Sequence, residues 1–130
     1  MSEDWYADVL EFNRKFKAHV GTTPAMPPLH VSTLRLRLVL EEVNELGQAL
    51  QRWDISEVAD ACADLIYVTL GAAQACGIDL RPIWDAVHIS NMAKTGGGER
   101  EDGKILKPPG WQRPDFKGLL AKQPPLAEEA

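Results

Sequence analysis

The sequence lacks the features that mark secreted, membrane-spanning and zinc-binding proteins. It has only two cysteines in 130 residues and no apolar run of the roughly 18 residues that a membrane-spanning helix needs. Cys62 and Cys76 fall in one predicted helix, whose rise of about 1.5 Å per residue places them roughly 21 Å apart, beyond disulfide reach. Neither has the spacing to other cysteines or histidines that a zinc site requires.

A secretory signal and a basic surface are also missing. The chain begins Met-Ser-Glu-Asp, which is unlike a signal peptide, and we expect a cytoplasmic protein with no membrane partner. The net charge of −5 argues against a nucleic-acid partner. Residues 94–117 nevertheless carry six cations and four anions, or +2, so the remainder carries −7. This division suits an anionic ligand bound through metal, although unevenly placed solvated charge explains it equally well.

Strand-period alternation is absent, and helical spacing of apolar residues covers most of the chain. We expect one domain over residues 1–117, followed by a flexible tail at 118–130. The fold class is all-α, a four-helix bundle with short connections and an irregular C-terminal segment. The predicted helices run from about Glu3 to His19, from Ser32 to Arg52, from an Asp54 cap to Gly77, and from an Asp79 cap to about Gly96.

The third predicted helix carries a polar seam on an otherwise apolar surface. Successive seam positions lie four or three residues apart and therefore share one face. Aspartate is a poor helix former, and an unpaired buried carboxylate is costly, so two aspartates here need a compensating partner. A solvated stripe is the alternative, but such stripes usually include lysine or arginine. The seam consists of Asp60, Asp64, Tyr67, Gly71 and Gln74.

The second predicted helix brings more negative charge to the same place. Its three glutamates are spaced so that they converge on one face. Placed against the seam aspartates, they would repel one another unless a cation neutralised them. Hard oxygen ligands at this density select Mg²⁺ or Mn²⁺. We therefore predict a divalent-metal site formed by Glu41, Glu42, Glu45, Asp60 and Asp64.

Four segments resemble the MazG-like and phosphoribosyl-ATP pyrophosphohydrolase-like family of all-α nucleoside triphosphate pyrophosphohydrolases. They read LVLEEVNEL, ADLIYVTLGAA, VHISNMAKT and DGKILKPPGW, and the similarity covers roughly residues 5–115. The family signature, Glu-x-x-Glu followed by Glu-x-x-Asp, binds Mg²⁺, and Glu42, Glu45 and Asp64 match it. Ala61 stands where the signature has its third glutamate, and Asp60 is the expected substitute.

The resemblance implies hydrolysis of the α–β phosphoanhydride of a nucleoside triphosphate, with a monophosphate and pyrophosphate as products. Among substrates it favours dUTP, then dCTP or a damaged nucleotide, with phosphoribosyl-ATP as a third option. Glu41 or Glu42 would orient or deprotonate the attacking water. A homodimer or a dimer of dimers is expected. The expected substrate-binding residues are Tyr67, Asn91, Lys94, Lys104 and Lys107.

Two alternatives stay open at this point. The chain could be a non-catalytic helical interaction module that kept the bundle and lost activity at Ala61. On the first helix, an aromatic stripe formed by Trp5, Phe12 and Phe16 either walls a base pocket or belongs to the core.

Overall fold

The computed structural model describes residues 3–127, which form five α-helices and no β-strand. The all-α prediction is therefore confirmed. The described chain divides into two compact units, residues 3–79 with 123–127 and residues 80–122. No single helix in the described range is long and apolar enough to cross a membrane. The helices are α1 (Trp5–Lys15), α2 (Leu29–Gln51), α3 (Ile55–Ala75), α4 (Leu80–Met92) and α5 (Phe116–Ala121).

Local capping explains where the helices of the first unit begin. Asp54 caps α3 as predicted, because its carboxylate accepts hydrogen bonds from the backbone N–H groups of Ser56 and Glu57 at 3.1 and 3.2 Å. Helix α2 begins three residues before the predicted Ser32, since the carbonyl of Pro28 already accepts hydrogen bonds from Val31 and Ser32. Helix α2 therefore begins almost one turn earlier than its apolar pattern indicates.

Helix α1 ends earlier than predicted. It stops at Lys15 rather than His19, because Lys17 adopts the left-handed conformation with φ of 57°. Helix α4 likewise ends at Met92, four residues before the predicted Gly96. Helix α5 was not predicted, and it occupies the first residues of the segment expected to be a flexible tail. The last part of that tail, residues 128–130, lies outside the described residues.

Helices α2 and α3 form the main packing of the first unit, and α3 also packs against α1. A short connection through Trp53 makes α2 and α3 antiparallel neighbours. Little apolar surface is buried within this unit, and several large side chains of α2 remain exposed: Leu34, Leu36, Leu40, Val43 and Leu50. The apolar face of α2 is therefore only partly covered by the described residues of one chain.

Buried amides connect the three helices of the first unit. Gln74 is 0% exposed and donates from Nε2 to the Tyr6 carbonyl at 2.8 Å. Asn13, 2% exposed, donates from Nδ2 to Gln74 Oε1 at 2.9 Å. This arrangement leaves Asn13 Oδ1 as an acceptor, which a guanidinium nitrogen of Arg35 approaches at 3.4 Å. We call these four groups the Gln74 relay.

Gly71 makes room for the arginine of the relay. A Cβ atom at this position would stand 2.6 Å from Nη1 of Arg35. Glycine therefore lets the guanidinium lie directly against the backbone of α3. Burial lowers the pKa of Arg35, and its Nε is buried with no hydrogen-bond partner among the described residues.

The second unit combines α4 with an ordered turn in the segment predicted to be irregular. Arg100 N donates to the Lys104 carbonyl at 2.8 Å, and Leu106 N donates to the Gly98 carbonyl at 3.0 Å. Trp111 is tied to α4, because its Nε1 donates to the Ser90 carbonyl at 2.7 Å. The segment is therefore folded within its own unit, without forming a regular strand in the described range.

Candidate metal and substrate site

Three of the predicted metal ligands converge between α2 and α3. Glu42 and Glu45 lie one turn apart on α2, and Asp64 faces them from α3. Each offers one carboxylate oxygen, and these three oxygens lie within 4.8 Å of one another. Glu42 Oε2 is buried and has no hydrogen-bond partner among the described residues. We call these three residues the acidic triad.

The electrostatics of the acidic triad are unfavourable without a cation. Burial raises the pKa of Glu42, and the negative charges of Glu45 and Asp64 raise it further. Burial also raises the pKa of Asp64, with the charges of Asp60 and Glu45 as the next causes. A buried oxygen without a donor, among carboxylates that repel one another, fits a hard divalent cation.

The other two predicted ligands are placed differently. The negative charge of Asp60 is among the causes that raise the pKa values of Asp64 and Glu42. Asp60 is nevertheless not one of the three residues whose oxygens converge. Glu41 is exposed and lies outside the triad. Metal binding by these two residues stays a prediction.

Ala61 borders a cavity beside the triad. Its side chain is buried, and the cavity of about 240 Å³ that it lines also contains Glu45 and Asp60. An ion pair between Arg52 and Glu57, at 3.7 Å, stands at the same cavity. The short side chain at position 61 thus leaves polar space next to the acids, where the family signature has a glutamate.

Tyr67 follows Asp64 by one turn of α3 and belongs to an aromatic group. It meets Phe12 edge-on at 5.4 Å between ring centroids, and Phe12 lies 4.8 Å from Phe16. The aromatic stripe of α1 is exposed, with Trp5 at 61%, so the core interpretation of these residues is wrong for the single chain. Trp5 and Tyr67 line a shared cavity that does not include Phe12 or Phe16.

The predicted phosphate contacts lie in the second unit. Asn91 and Lys94 both line a cavity of about 380 Å³. Trp111, which the sequence interpretation did not single out, holds two lysines on its ring: Nζ of Lys94 at 5.3 Å and Nζ of Lys107 at 5.0 Å from the centroid. Lys104 is exposed and contributes to neither arrangement. The only sequence signal for Trp111 was its place at the end of the DGKILKPPGW segment.

The sequence of the chain matches a known protein family. A family model described as phosphoribosyl-ATP pyrophosphohydrolase matches residues 9–91, a range that contains the whole acidic triad. The chain is also similar to the uncharacterized protein L479 of Acanthamoeba polyphaga mimivirus, with 39% identity over 80 residues. That match covers 58% of this chain and 32% of the viral protein. The family resemblance expected from the four sequence segments is confirmed.

Proposed function

The chain belongs to the phosphoribosyl-ATP pyrophosphohydrolase family, and from this membership we propose that it hydrolyses the α–β phosphoanhydride of a nucleoside triphosphate in a metal-dependent reaction. The products would be a nucleoside monophosphate and pyrophosphate. The observation that carries the proposal is the acidic triad, whose oxygens lie within 4.8 Å of one another. Such a group has no evident role in folding, because its carboxylates repel one another.

Glu42, Glu45 and Asp64 would hold Mg²⁺, with Mn²⁺ as a possible substitute. The bound cation would neutralise negative charge on the phosphates and on the departing pyrophosphate. Asp60 would support the site through Asp64, on whose pKa its charge acts, or would act as the fourth ligand in place of the family glutamate missing at Ala61.

The attacking water needs a general base with a carboxylate oxygen that does not coordinate the metal. Glu41 meets this requirement, because it lies next to Glu42 in sequence and outside the acidic triad. Glu42 is the alternative base, since one of its oxygens has no partner among the described residues. Either carboxylate would orient the water and accept its proton.

The family resemblance implies that cationic and polar residues would bind the rest of the substrate. The pair of lysines on Trp111, Lys94 and Lys107, supplies positive charge for phosphate oxygens. Asn91 would contact the sugar, and Lys104 would contribute a further phosphate contact from its exposed position. Tyr67 lies one turn from Asp64 and would contact the substrate beside the metal.

The family resemblance puts dUTP first among substrates, followed by dCTP or a damaged nucleotide. Phosphoribosyl-ATP is an enzymatic alternative that the family's description supports directly. A non-catalytic interaction module is the alternative outside enzymology, and Ala61 is the observation that favours it. The matched relative is an uncharacterized protein of which the chain spans about a third, so it does not narrow this choice.

We further propose that the protein is a cytoplasmic homodimer or dimer of dimers. The support lies in α2, where Leu36, Leu40 and Val43 are about half exposed or more. A second copy that covers this face would supply the apolar burial that a single chain lacks.

A nucleotide panel tests the proposed function. The purified protein would be incubated with the common and modified deoxynucleoside triphosphates and with phosphoribosyl-ATP, in Mg²⁺, in Mn²⁺ and with a chelator. Release of pyrophosphate and monophosphate, lost with the chelator, is the expected result. Release of orthophosphate would place cleavage at a different bond. No turnover of any substrate with either metal would leave the non-catalytic module as the better description.

A further inference from the structure

The cavity shared by α1 and α3 has no role in the metal chemistry described above. Seven residues line it: Trp5, Asp8, Val9, Ala63, Ile66, Tyr67 and Leu70. We call it the Asp8 pocket. Two of its residues flank a member of the acidic triad, since Ala63 precedes Asp64 and Tyr67 follows it by about 4.5 Å of helix rise. The pocket therefore begins beside the proposed metal site.

The size and lining of the Asp8 pocket suit one flat ring system. Its volume of about 200 Å³ lies below the roughly 300–1,000 Å³ typical of pockets that hold a whole drug-sized ligand. The lining is mostly apolar, and it contains the aromatic side chains of Trp5 and Tyr67. Trp5 remains 61% exposed in the described chain, so its ring is available for stacking. Aromatic side chains bind nucleobases by such stacking.

The charge of the pocket selects what can enter. Asp8 is its only charged lining residue, and within residues 3–127 no group donates a hydrogen bond or forms an ion pair with the Asp8 side chain. Glu11, one turn further along α1, adds negative charge nearby. The pKa of Tyr67 is raised first by burial and then by the negative charges of Asp8 and Glu11. A phosphate would be repelled here, whereas an N–H group would be attracted.

We propose that the Asp8 pocket receives the base of the nucleotide and that Asp8 is a specificity-determining residue favouring bases with an exocyclic amino group. Cytosine, adenine and guanine carry an exocyclic amino group that can donate to a carboxylate. Uracil and thymine have no such group, and where cytosine carries its amino group they carry a carbonyl oxygen that a carboxylate repels. This inference rests on the proposed function and deepens it. It moves dCTP and the purine nucleotides ahead of dUTP, the substrate that the family resemblance put first.

The test compares two variants that each remove one negative charge from α1. Asp8→Asn replaces the carboxylate by an amide, which can donate to a carbonyl oxygen. The ratio of kcat/KM for dCTP to that for dUTP should exceed one in the wild type and fall by about tenfold to a hundredfold in this variant, the range expected for losing a hydrogen bond to a charged group. Glu11→Gln, outside the pocket lining, should leave the ratio within about twofold. Asp8→Glu keeps the acceptor and should retain the wild-type preference.

Binding measurements separate this inference from the proposed function. Calorimetric titration with dCMP and dUMP in the presence of Mg²⁺ needs no turnover, and the wild type should bind dCMP more tightly in an Asp8-dependent way. This result without any hydrolysis would overturn the proposed function and support the pocket. Hydrolysis with a dCTP-to-dUTP ratio that Asp8→Asn leaves unchanged would overturn the pocket and support the function. Equal shifts in Asp8→Asn and Glu11→Gln would also overturn it, because they would reflect charge alone.

Discussion

Two regions along the α2–α3 pair differ in whether their polar side chains have favourable partners. At one, the buried amide groups of the Gln74 relay have hydrogen-bond acceptors: Asn13 donates to Gln74, and Gln74 donates to the Tyr6 carbonyl. At the other, the acidic triad gathers three carboxylates, and burial and neighbouring negative charges raise the pKa values of two of them, Glu42 and Asp64. The two places are seven residues apart on each helix, as Arg35 is from Glu42 and Gly71 from Asp64, or about 10.5 Å along the axis.

The hydrogen-bonded amides of the relay stabilise the fold, whereas the carboxylates of the triad are unfavourable for it. Satisfied buried hydrogen bonds add modestly to stability, and removing one partner is costly because the other is left unsatisfied. The carboxylates of the triad oppose folding of the metal-free chain, and they become favourable only when a cation neutralises them. This difference is the reason why we propose the triad, rather than the relay, as the place where a ligand binds.

The largest effect is expected when one carboxylate of the acidic triad is removed. Glu45→Gln keeps the size of the side chain and removes a proposed metal ligand. We expect kcat/KM to fall by about a thousandfold or more, since a catalytic metal supplies several kcal/mol of transition-state stabilisation. The helical circular dichroism should be unchanged. Glu101→Gln, which neutralises an exposed acid of the second unit, is the matched control. Full activity in Glu45→Gln would mean that the triad is not the metal site.

The opposite result is expected when the relay is broken. Gln74→Leu removes the partner of both Asn13 Nδ2 and the Tyr6 carbonyl. We expect a loss of about 2–3 kcal/mol in the free energy of unfolding, measured in urea, because two buried polar groups lose their partners. The double variant Gln74→Leu with Asn13→Leu should lose less than the sum of the two single changes. Strict additivity would show that the two amides are not coupled.

Asp60→Asn tests whether Asp60 contributes to metal binding at the acidic triad. Asp60 is not a member of the triad, yet its negative charge is one of the causes that raise the pKa of Asp64. We expect the Mg²⁺ concentration for half-maximal activity to rise by about tenfold to a hundredfold, as for residues that orient a metal ligand, with smaller loss at saturating metal. Glu57→Gln at the same cavity is the control. A larger effect in Glu57→Gln than in Asp60→Asn would assign the fourth position to Glu57.

The division between the two places was only partly predictable from sequence. Helical spacing predicted the polar seam of α3 and a shared face of Glu41, Glu42 and Glu45 on α2, because neighbours three or four residues apart meet on any helix. Only Glu42 and Glu45 belong to the group whose oxygens converge with Asp64. The same rule could not divide the seam. Gln74 lies on the seam but is fully buried. It packs against α1, where its hydrogen-bond partners are 61 and 68 residues away in the sequence. Contacts of this range depend on how helices pack, and local periodicity carries no information about them.

The second unit was less predictable for the same reason. The segment after Gly96 has no helical or strand period, so its composition favoured an irregular tail. Its order comes instead from specific contacts, such as the hydrogen bond from Trp111 to the Ser90 carbonyl. Helix α5 is too short to produce a reliable pattern, and its Asp115 cap was read only as one charge among several.

Stability as a function of pH should also distinguish the triad. Because the pKa values of Glu42 and Asp64 are raised on folding, the folded chain binds more protons than the unfolded chain above about pH 4, the ordinary carboxyl range. In a chelator, stability should therefore fall as pH rises through the raised pKa values, by less than about 1 kcal/mol for partly solvated groups. Saturating Mg²⁺ should abolish this fall. The same slope with Mg²⁺ and with chelator would mean that no cation binds the triad.

The smallest effect on stability is expected at Gly71, where the lack of a side chain leaves room for the Arg35 guanidinium. In the wild type, the Cβ atom of Gly71→Ala would displace the Arg35 guanidinium and offset the gain in helix propensity, which is at most about 1 kcal/mol. With Arg35→Met already present, the charged group is gone and the same change should stabilise the chain by up to about 1 kcal/mol. Urea unfolding of the four proteins in this cycle measures the coupling. Because both changes lie two turns from the acidic triad, the Mg²⁺ requirement of turnover should not move. An equal effect of Gly71→Ala in both backgrounds would show that glycine at this position does not serve the arginine.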